Sequence, residues 1–291
     1  MTSPFRGSRS DVPYSTLRGP QYEQLSHDVY VLKSAELTLR TRVDAALTIF
    51  PEAVPCLSTS CLLLKLPVDD DGIVQLDRGP NASRSRRKGV KVHRFGIPEA
   101  RIHDLDGRRV ADGPRCVADL SAHLDLEGLV ALGDVVARRW KHEEIAAAVS
   151  DHGRRPGAVL LQQAVPLLDS RSDSPAESRA RLRVHAAGFT GMVHGTVVRD
   201  AAGGWFAEPD LGDEEAKVAY QHEGEIHFLK GAKQRRHDVD RDDLSRAENW
   251  EVVVGTAIDD AQPHRLIERL EAAYRRAGQR WGAHVLPDHM R

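Results

Sequence analysis

Acidic and amide side chains alternate along one short segment of this chain. In VAYQHEGEIH (218–227), Gln221, Glu223 and Glu225 occupy every second position, and Asp210 precedes them in EPDL. Because strand side chains alternate between faces, these three are expected on one side, with Asp210 beside them on a neighbouring strand. Carboxylates suit Mg²⁺, and bound Mg²⁺ activates water and stabilises charge on a phosphodiester. The spacing therefore favours a site in which carboxylates hold a divalent metal ion.

The elements that must position these residues follow a regular order in the C-terminal half. Ser174, Pro175 and Glu177 form a capping box that starts a helix ending near Gly188. Strands are predicted at 192–198, 205–211 and 217–223, then a helix at 240–248, a strand at 250–256 and a helix at 264–278. This order predicts an α/β (α+β) fold, a mixed sheet flanked by helices.

The N-terminal half is predicted to be a second mixed α+β domain. Strands are expected at 27–32 and 90–95, and helices at 39–51, 114–124 and 126–140, whereas 69–89 has the composition of a loop. We predict domains at 1–150 and 177–291, joined by a linker at 151–176.

Composition limits the function classes. The 291 residues carry 29% charged and 5% aromatic side chains, and no apolar run is long enough to span a bilayer. The polar N-terminal segment and three cysteines without a CxxC pair predict a cytoplasmic protein with reduced thiols and no membrane partner. The net charge of −2 argues against a surface that coats nucleic acid throughout, but not against a local basic patch.

From Glu177 to Ala277 the pattern resembles the very-short-patch-repair-like branch of the PD-(D/E)xK nuclease superfamily. The matching positions are Glu177-Ser178-Arg179, Asp210-Leu211, Val218 to Gly224 with His227, Arg236 to Leu244 (Arg236, Asp238, Arg241, Asp242, Leu244), and Trp250-Glu251-Val252. The resemblance implies a restriction-endonuclease-like sheet and a Mg²⁺ (or Mn²⁺)-dependent DNA endonuclease or nickase. The chain departs from the family at Gln221, where a glutamate is usual, and at Glu223, where an aspartate is usual.

The resemblance also implies roles for these residues. Asp210 would bridge the metal, Glu223 would be the second carboxylate, and Glu177 would be a third ligand or hold the water. Gln221 could offer a neutral amide oxygen, and His227 would donate a proton or contact phosphate. Neighbouring cations would contact the DNA phosphates, namely Lys230, Lys233, Arg235 and Arg236.

Each of these residues also has a structural explanation. Glu177 could only cap its helix by accepting the backbone N–H of Ser174, and Asp210 could be a turn residue after proline. Glu223 could be a solvated strand end, and His227 a surface histidine. Gln221 could mark a degenerate ligand position. The alternative function is therefore a catalytically degenerate nuclease fold that binds DNA or regulates, in the manner of an antitoxin.

The N-terminal half is similar to the AbiEi-like antitoxin domain. The likeness lies in LRG to VYV (Leu17 to Val31) and in Pro114 to Leu120. No winged-helix segment precedes LRG, so we do not expect sequence-specific promoter binding. A basic run at 83–94 contains Arg84, Arg86, Arg87, Lys88, Lys91 and Arg94 without an acid, which indicates either a solvated face or phosphate binding. The sequence is compatible with a protein partner that binds this domain and with a homodimer.

Overall fold

The computed structural model describes residues 3–83, 87–199, 204–222 and 249–291. Its helices are α1 (Tyr14–Leu17), α2 (Leu39–Ile49), α3 (Leu57–Leu63), α4 (Gly113–Leu120), α5 (Leu126–Ala137), α6 (His142–His152), α7 (Ala158–Ala164), α8 (Pro175–Ala186), α9 (Ala257–Ala261) and α10 (Pro263–Trp281).

The strands are short and fall into several small sheets. They are β1 (Phe5–Arg6), β2 (Tyr22–Ser26), β3 (Val29–Leu32), β4 (Val54–Pro55), β5 (Val74–Asp77), β6 (Val90–His93), β7 (Ile102–Leu105), β8 (Arg108–Ala111), β9 (Val198–Arg199), β10 (Trp205–Ala207), β11 (Leu211–Asp213), β12 (Val218–His222) and β13 (Glu251–Gly255). Mixed and antiparallel sheets flanked by helices confirm the predicted mixed α+β class.

The chain forms two compact units. The first contains residues 1–125 and 139–166, and the second contains 126–138 and 167–291. Helix α5, which the sequence prediction placed in the N-terminal domain, therefore belongs to the second unit. Helix α7 falls within the stretch predicted as a linker.

In the first unit, helix α2 covers one sheet. Strand β5 lies between β4, which is antiparallel to it, and β6, which is parallel. Val43 of α2 and Phe50, which directly follows α2, pack with Val74 and Leu76 of β5. The prediction of a loop across 69–89 was wrong at β5, because the buried Val74 and Leu76 alternate with the more exposed Gln75 as in a strand.

In the second unit, a three-stranded sheet carries the segment with the candidate site. Strand β12 lies between β11, which is antiparallel, and β13, which is parallel. Val184 of α8 and Leu270 and Tyr274 of α10 pack on Tyr220 and other buried residues of this sheet. An ion pair of 2.7 Å between Arg276 and Glu251 also ties α10 to β13.

Helices α5 and α8 are held together by charged groups as well as by packing. Arg181 donates from Nη2 to Asp134 Oδ2 at 3.0 Å, in a fully buried environment. Arg183 donates from Nη2 to Glu127 Oε2 at 2.7 Å. These pairs explain why residues 126–137 join the second unit.

The predicted strand at 192–198 was wrong for most of its length. Only Val198 lies in a strand, while Val193 makes an isolated bridge to Gly212. Gly195 adopts φ 77°, in the left-handed region, which turns the chain after His194. Likewise, the predicted strand at 205–211 divides into β10 and the start of β11 around Pro209, which has no N–H to offer a strand ladder.

Candidate functional site

Asp210 and Gln221 meet at the edge of the sheet. Asp210 directly precedes β11, and Leu211 lies opposite Tyr220 of the antiparallel strand β12. Gln221 donates from Nε2 to Asp210 Oδ1 at 2.8 Å, and the backbone N–H of His222 donates to Oδ2 at 2.5 Å. The strand geometry thus places Asp210 beside Gln221, as the alternating pattern predicted.

The Asp210 carboxyl is in an environment that disfavours its charge. Its pKa is raised to about 7, chiefly by burial; the nearby carboxylates of Glu177 and Asp173 contribute to the rise, and the donors on His222 and Gln221 oppose it. Asp210 makes no ion pair with any residue that the structure describes. Such a group binds a proton or a cation readily.

Glu177 lies in the first turn of helix α8, and its charge influences the Asp210 carboxyl. Ser174 Oγ accepts the backbone N–H of Glu177 at 3.2 Å, and Glu177 Oε2 accepts the backbone N–H of Asp173 at 2.8 Å. The sequence analysis expected the Glu177 side chain to accept the backbone N–H of Ser174. In the structure it accepts the N–H of the preceding residue, Asp173. Glu177 therefore has both roles: it caps the helix, and its negative charge raises the pKa of Asp210.

His194 belongs to this environment, and the sequence analysis did not single it out. Its side chain is 3% exposed, and the ring is close enough to the backbone of Asp210 for that backbone to influence its pKa. Burial lowers its pKa, so the ring is neutral near pH 7. Its Nε2 is buried without a hydrogen-bond partner in the described part of the chain. The sequence signal was a histidine followed by a turn-forming glycine inside an apparent apolar strand.

His222, at the end of β12, is engaged by neighbouring side chains. Its Nδ1 lies 3.1 Å from the Tyr220 hydroxyl, and its Nε2 lies 3.8 Å from Asp260 Oδ2. The hydrogen bond to Tyr220 therefore holds the His222 ring at the end of the strand that carries Gln221.

Several predicted site residues lie outside the described residues. They are Glu223, His227, Lys230, Lys233, Arg235, Arg236, Arg84 and Arg86, together with the helix predicted at 240–248. Within the described ranges, no group of three His, Cys, Asp or Glu side chains could hold a metal ion. Asp210 and Glu177 nevertheless supply the hard oxygen donors that Mg²⁺ prefers, and Glu223 follows His222 directly.

Part of the basic run lies in the first unit at the start of β6. Arg87 is half-buried, Lys88 and Lys91 are exposed, and none of the three forms an ion pair with a described residue. This arrangement is compatible with either a solvated face or a phosphate contact.

The segment Pro114–Leu120 is buried throughout, in helix α4. Arg115 is 1% exposed and donates from Nε to Asp119 Oδ2 at 2.7 Å. His152 Nδ1 and Arg155 Nη1 each lie 3.9 Å from the other oxygen of Asp119. Arg115 and Asp119 therefore belong to the interior of the first unit.

Comparison with protein-family models gives no match. Two curated relatives match, the uncharacterized proteins MT2308 and Rv2248 of Mycobacterium tuberculosis strains CDC 1551 and H37Rv. Each is 30% identical over 162 residues, which is 54% of this chain and 57% of the relative. The chain thus spans just over half the length of the curated relatives it matches.

Within the described residues, no helix combines the length and apolar character needed to cross a membrane.

Proposed function

We propose that this protein is a metal-dependent DNA endonuclease or nickase that hydrolyses phosphodiester bonds in the cytoplasm. The observation that carries the proposal is the Asp210 carboxyl, which is partly buried, has a pKa raised to about 7 and lacks a cationic partner among the described residues. A carboxyl in this state gains most from a divalent cation, because the cation replaces the lost hydration and offsets the Glu177 charge.

The proposed metal is Mg²⁺ or Mn²⁺, with Asp210, Glu223 and Glu177 as its protein ligands. When bound, it would supply charge stabilisation and an activated water. Gln221 would orient Asp210 through its amide, and His227 would donate a proton to the leaving oxygen. Lys230, Lys233, Arg235 and Arg236, with the basic run at 83–94, would contact DNA phosphates. A protein partner of the first unit and a homodimer are compatible with this function.

One observation favours a second function. Gln221 donates a hydrogen bond from Nε2 to Oδ1 of Asp210, the carboxylate proposed as a metal ligand. An amide in this role satisfies the carboxyl without a cation, as expected if the nuclease scaffold is kept only for DNA binding and regulation. In that case the protein would resemble an antitoxin in function.

The two functions are separated by nicking of supercoiled plasmid in a titration of Mg²⁺ and of Mn²⁺. The nuclease proposal expects nicking by the wild type, loss of it by about a thousandfold in Asp210→Asn, and DNA affinity that is unchanged or tighter. Glu208→Gln is the matched control, because Glu208 is an exposed acid two residues away and should keep full activity. Absence of nicking in the wild type with nicking by Gln221→Glu would instead support the second function.

A further inference from the structure

A polar pocket of about 460 Å³ opens on the first unit. It is built from segments that are distant in sequence, namely β1, α1, the β2–β3 turn and the start of β6. Its charged and aromatic lining includes Arg6, Arg18, Arg87, Tyr14, His27 and Asp28. Of these, only Arg87 belongs to the basic run found in the sequence. The fold therefore brings Arg6 and Arg18 close to Arg87 of the basic run.

The pocket has more positive than negative charge. Asp28, the one acid among the described residues that line it, accepts the backbone N–H of Ser8 at 2.8 Å, the Tyr14 hydroxyl at 2.9 Å and the Ser8 hydroxyl. The hydrogen bond from the Ser8 hydroxyl lowers the pKa of Asp28, so this carboxyl stays ionised. Its oxygens are thus occupied by neutral donors and by no arginine of the pocket.

The arginines keep their capacity to bind an anion. Arg6 donates from Nε to the carbonyl of Thr48 at 3.1 Å and from Nη2 to that of Ile49 at 3.2 Å, which fixes its guanidinium and leaves Nη1 uncommitted. Neither Arg18 nor Arg87 forms an ion pair with a described residue. Three guanidinium groups opposed by one saturated carboxylate form a site for a multiply charged anion.

The shape and lining indicate which anion. A terminal phosphate can carry two negative charges and enters a concave pocket from one side, whereas a mid-strand phosphodiester carries one charge and must leave in both directions. Tyr14 lies at the pocket with 48% of its surface exposed and its hydroxyl held by Asp28, so its ring is available for stacking. The volume lies within the range of about 300–1,000 Å³ that is common for small-ligand sites.

We propose that this pocket binds the terminal phosphate of a nucleotide, either free or at the 5′ end of a DNA strand. This site is separate from Asp210 and does not depend on the proposed nuclease activity. Arg18 and Arg87 hold the phosphate, Arg6 supports it, and the Tyr14 ring stacks on the base.

The test is fluorescence anisotropy of a short single-stranded oligonucleotide labelled at its 3′ end, with either a 5′ phosphate or a 5′ hydroxyl, in the presence of EDTA. We expect the phosphorylated probe to bind about tenfold more tightly, as one lost charge-assisted contact would give. Arg18→Ala and Arg87→Ala should each remove most of that difference. Arg109→Ala is the matched control, because Arg109 is an exposed arginine of strand β8 that does not line the pocket.

Competition by thymidine 5′-monophosphate would assign the site to free nucleotides, and failure of that competition would assign it to DNA ends. The same preference in Asp210→Asn would show that the site is independent of the nuclease. Equal binding of the two probes, or an equal loss in Arg109→Ala and Arg18→Ala, would overturn the proposal. Unchanged thermal unfolding of each variant checks that the exposed substitutions leave the fold intact.

Discussion

Asp134 and Asp210 are two carboxylates of the second unit, the first fully buried and the second half-buried, that differ in what neutralises them. Asp134, on α5, is fully buried and accepts from Arg181 at 3.0 Å and from the backbone N–H of Asp169 at 2.7 Å. Asp210, at the sheet edge, accepts only neutral donors among the described residues, while Glu177 adds negative charge nearby.

Burial raises the pKa of both carboxyls, but the opposing contributions differ. For Asp134, the Asp169 N–H, Ser178 and Arg181 all favour the ionised form. For Asp210, acidic neighbours reinforce the rise to about 7. A paired buried carboxylate holds a fold together, whereas one left without a cation marks a place where the protein can bind something. This contrast fits a structural role for the first and supports the functional role proposed for the second.

The largest effect on stability is expected from breaking the Asp134 pair. Arg181→Met leaves Asp134 as an uncompensated buried charge and should lower the free energy of unfolding by about 3–5 kcal/mol. Urea unfolding at pH 7 measures this difference.

The control is the double variant Asp134→Leu/Arg181→Met, which removes both charges and should recover most of the loss. If the single and double variants were equally unstable, packing rather than charge pairing would hold α5 to α8. The proposed difference between Asp134 and Asp210, in which only Asp134 is stabilised by a cationic partner, would then be unsupported.

At Asp210, removal of the charge is expected to stabilise the fold rather than destabilise it. The folded pKa of about 7 exceeds that of an unfolded aspartate, so the folded state binds more protons between these values. Stability from this group is therefore present below about pH 4 and is lost as the pH rises through about 7. Asp210→Asn should match the wild type at low pH and exceed it at pH 8, by on the order of 2–4 kcal/mol.

Unfolding of both proteins across this pH range checks the prediction. Glu208→Gln, which removes an exposed acid, should show no such pH-dependent gain. A variant Asp210→Asn that is less stable than the wild type at pH 8 would mean that the ionised carboxylate stabilises the fold, as Asp134 does.

The smallest effect is expected at the start of α8, which carries both Glu177 and Arg181. Ser174→Ala removes the N-cap bond to the Glu177 N–H and should cost about 1 kcal/mol. Ser174→Thr keeps a capping hydroxyl and should lose much less. Thermal unfolding measures both, and equal losses would argue against the cap.

Elements with explicit local signals could be predicted from the sequence. The Ser174-Pro175 start of α8 and the helix predicted at 264–278 match the structure, as does the strand that carries Gln221. The β7–β8 hairpin also had a signal, since Asp106 and Gly107 both adopt positive φ between its strands, and Asp-Gly is a common hairpin turn.

The rest depends on tertiary contacts. Nothing local in 126–137 indicates that α5 joins the second unit. Its place there follows from the pairing of Asp134 with Arg181 and of Glu127 with Arg183, which lie 47 and 56 positions later in the chain. At the site, strand alternation predicted that Asp210 and Gln221 would be neighbours. The approach of His194 could not be predicted, because it depends on the turn at Gly195.

The most direct test of the central claim is the pKa of Asp210 itself, measured by carboxyl ¹³C NMR in the intact protein with and without Mg²⁺. The Asp210→Asn spectrum assigns the resonance. We expect a pKa near 7 without metal and a clear decrease when Mg²⁺ is added, because the cation favours the ionised form. An ordinary aspartate pKa, or one that Mg²⁺ leaves unchanged, would contradict the view that Asp210 is an unneutralised carboxyl able to bind a metal ion.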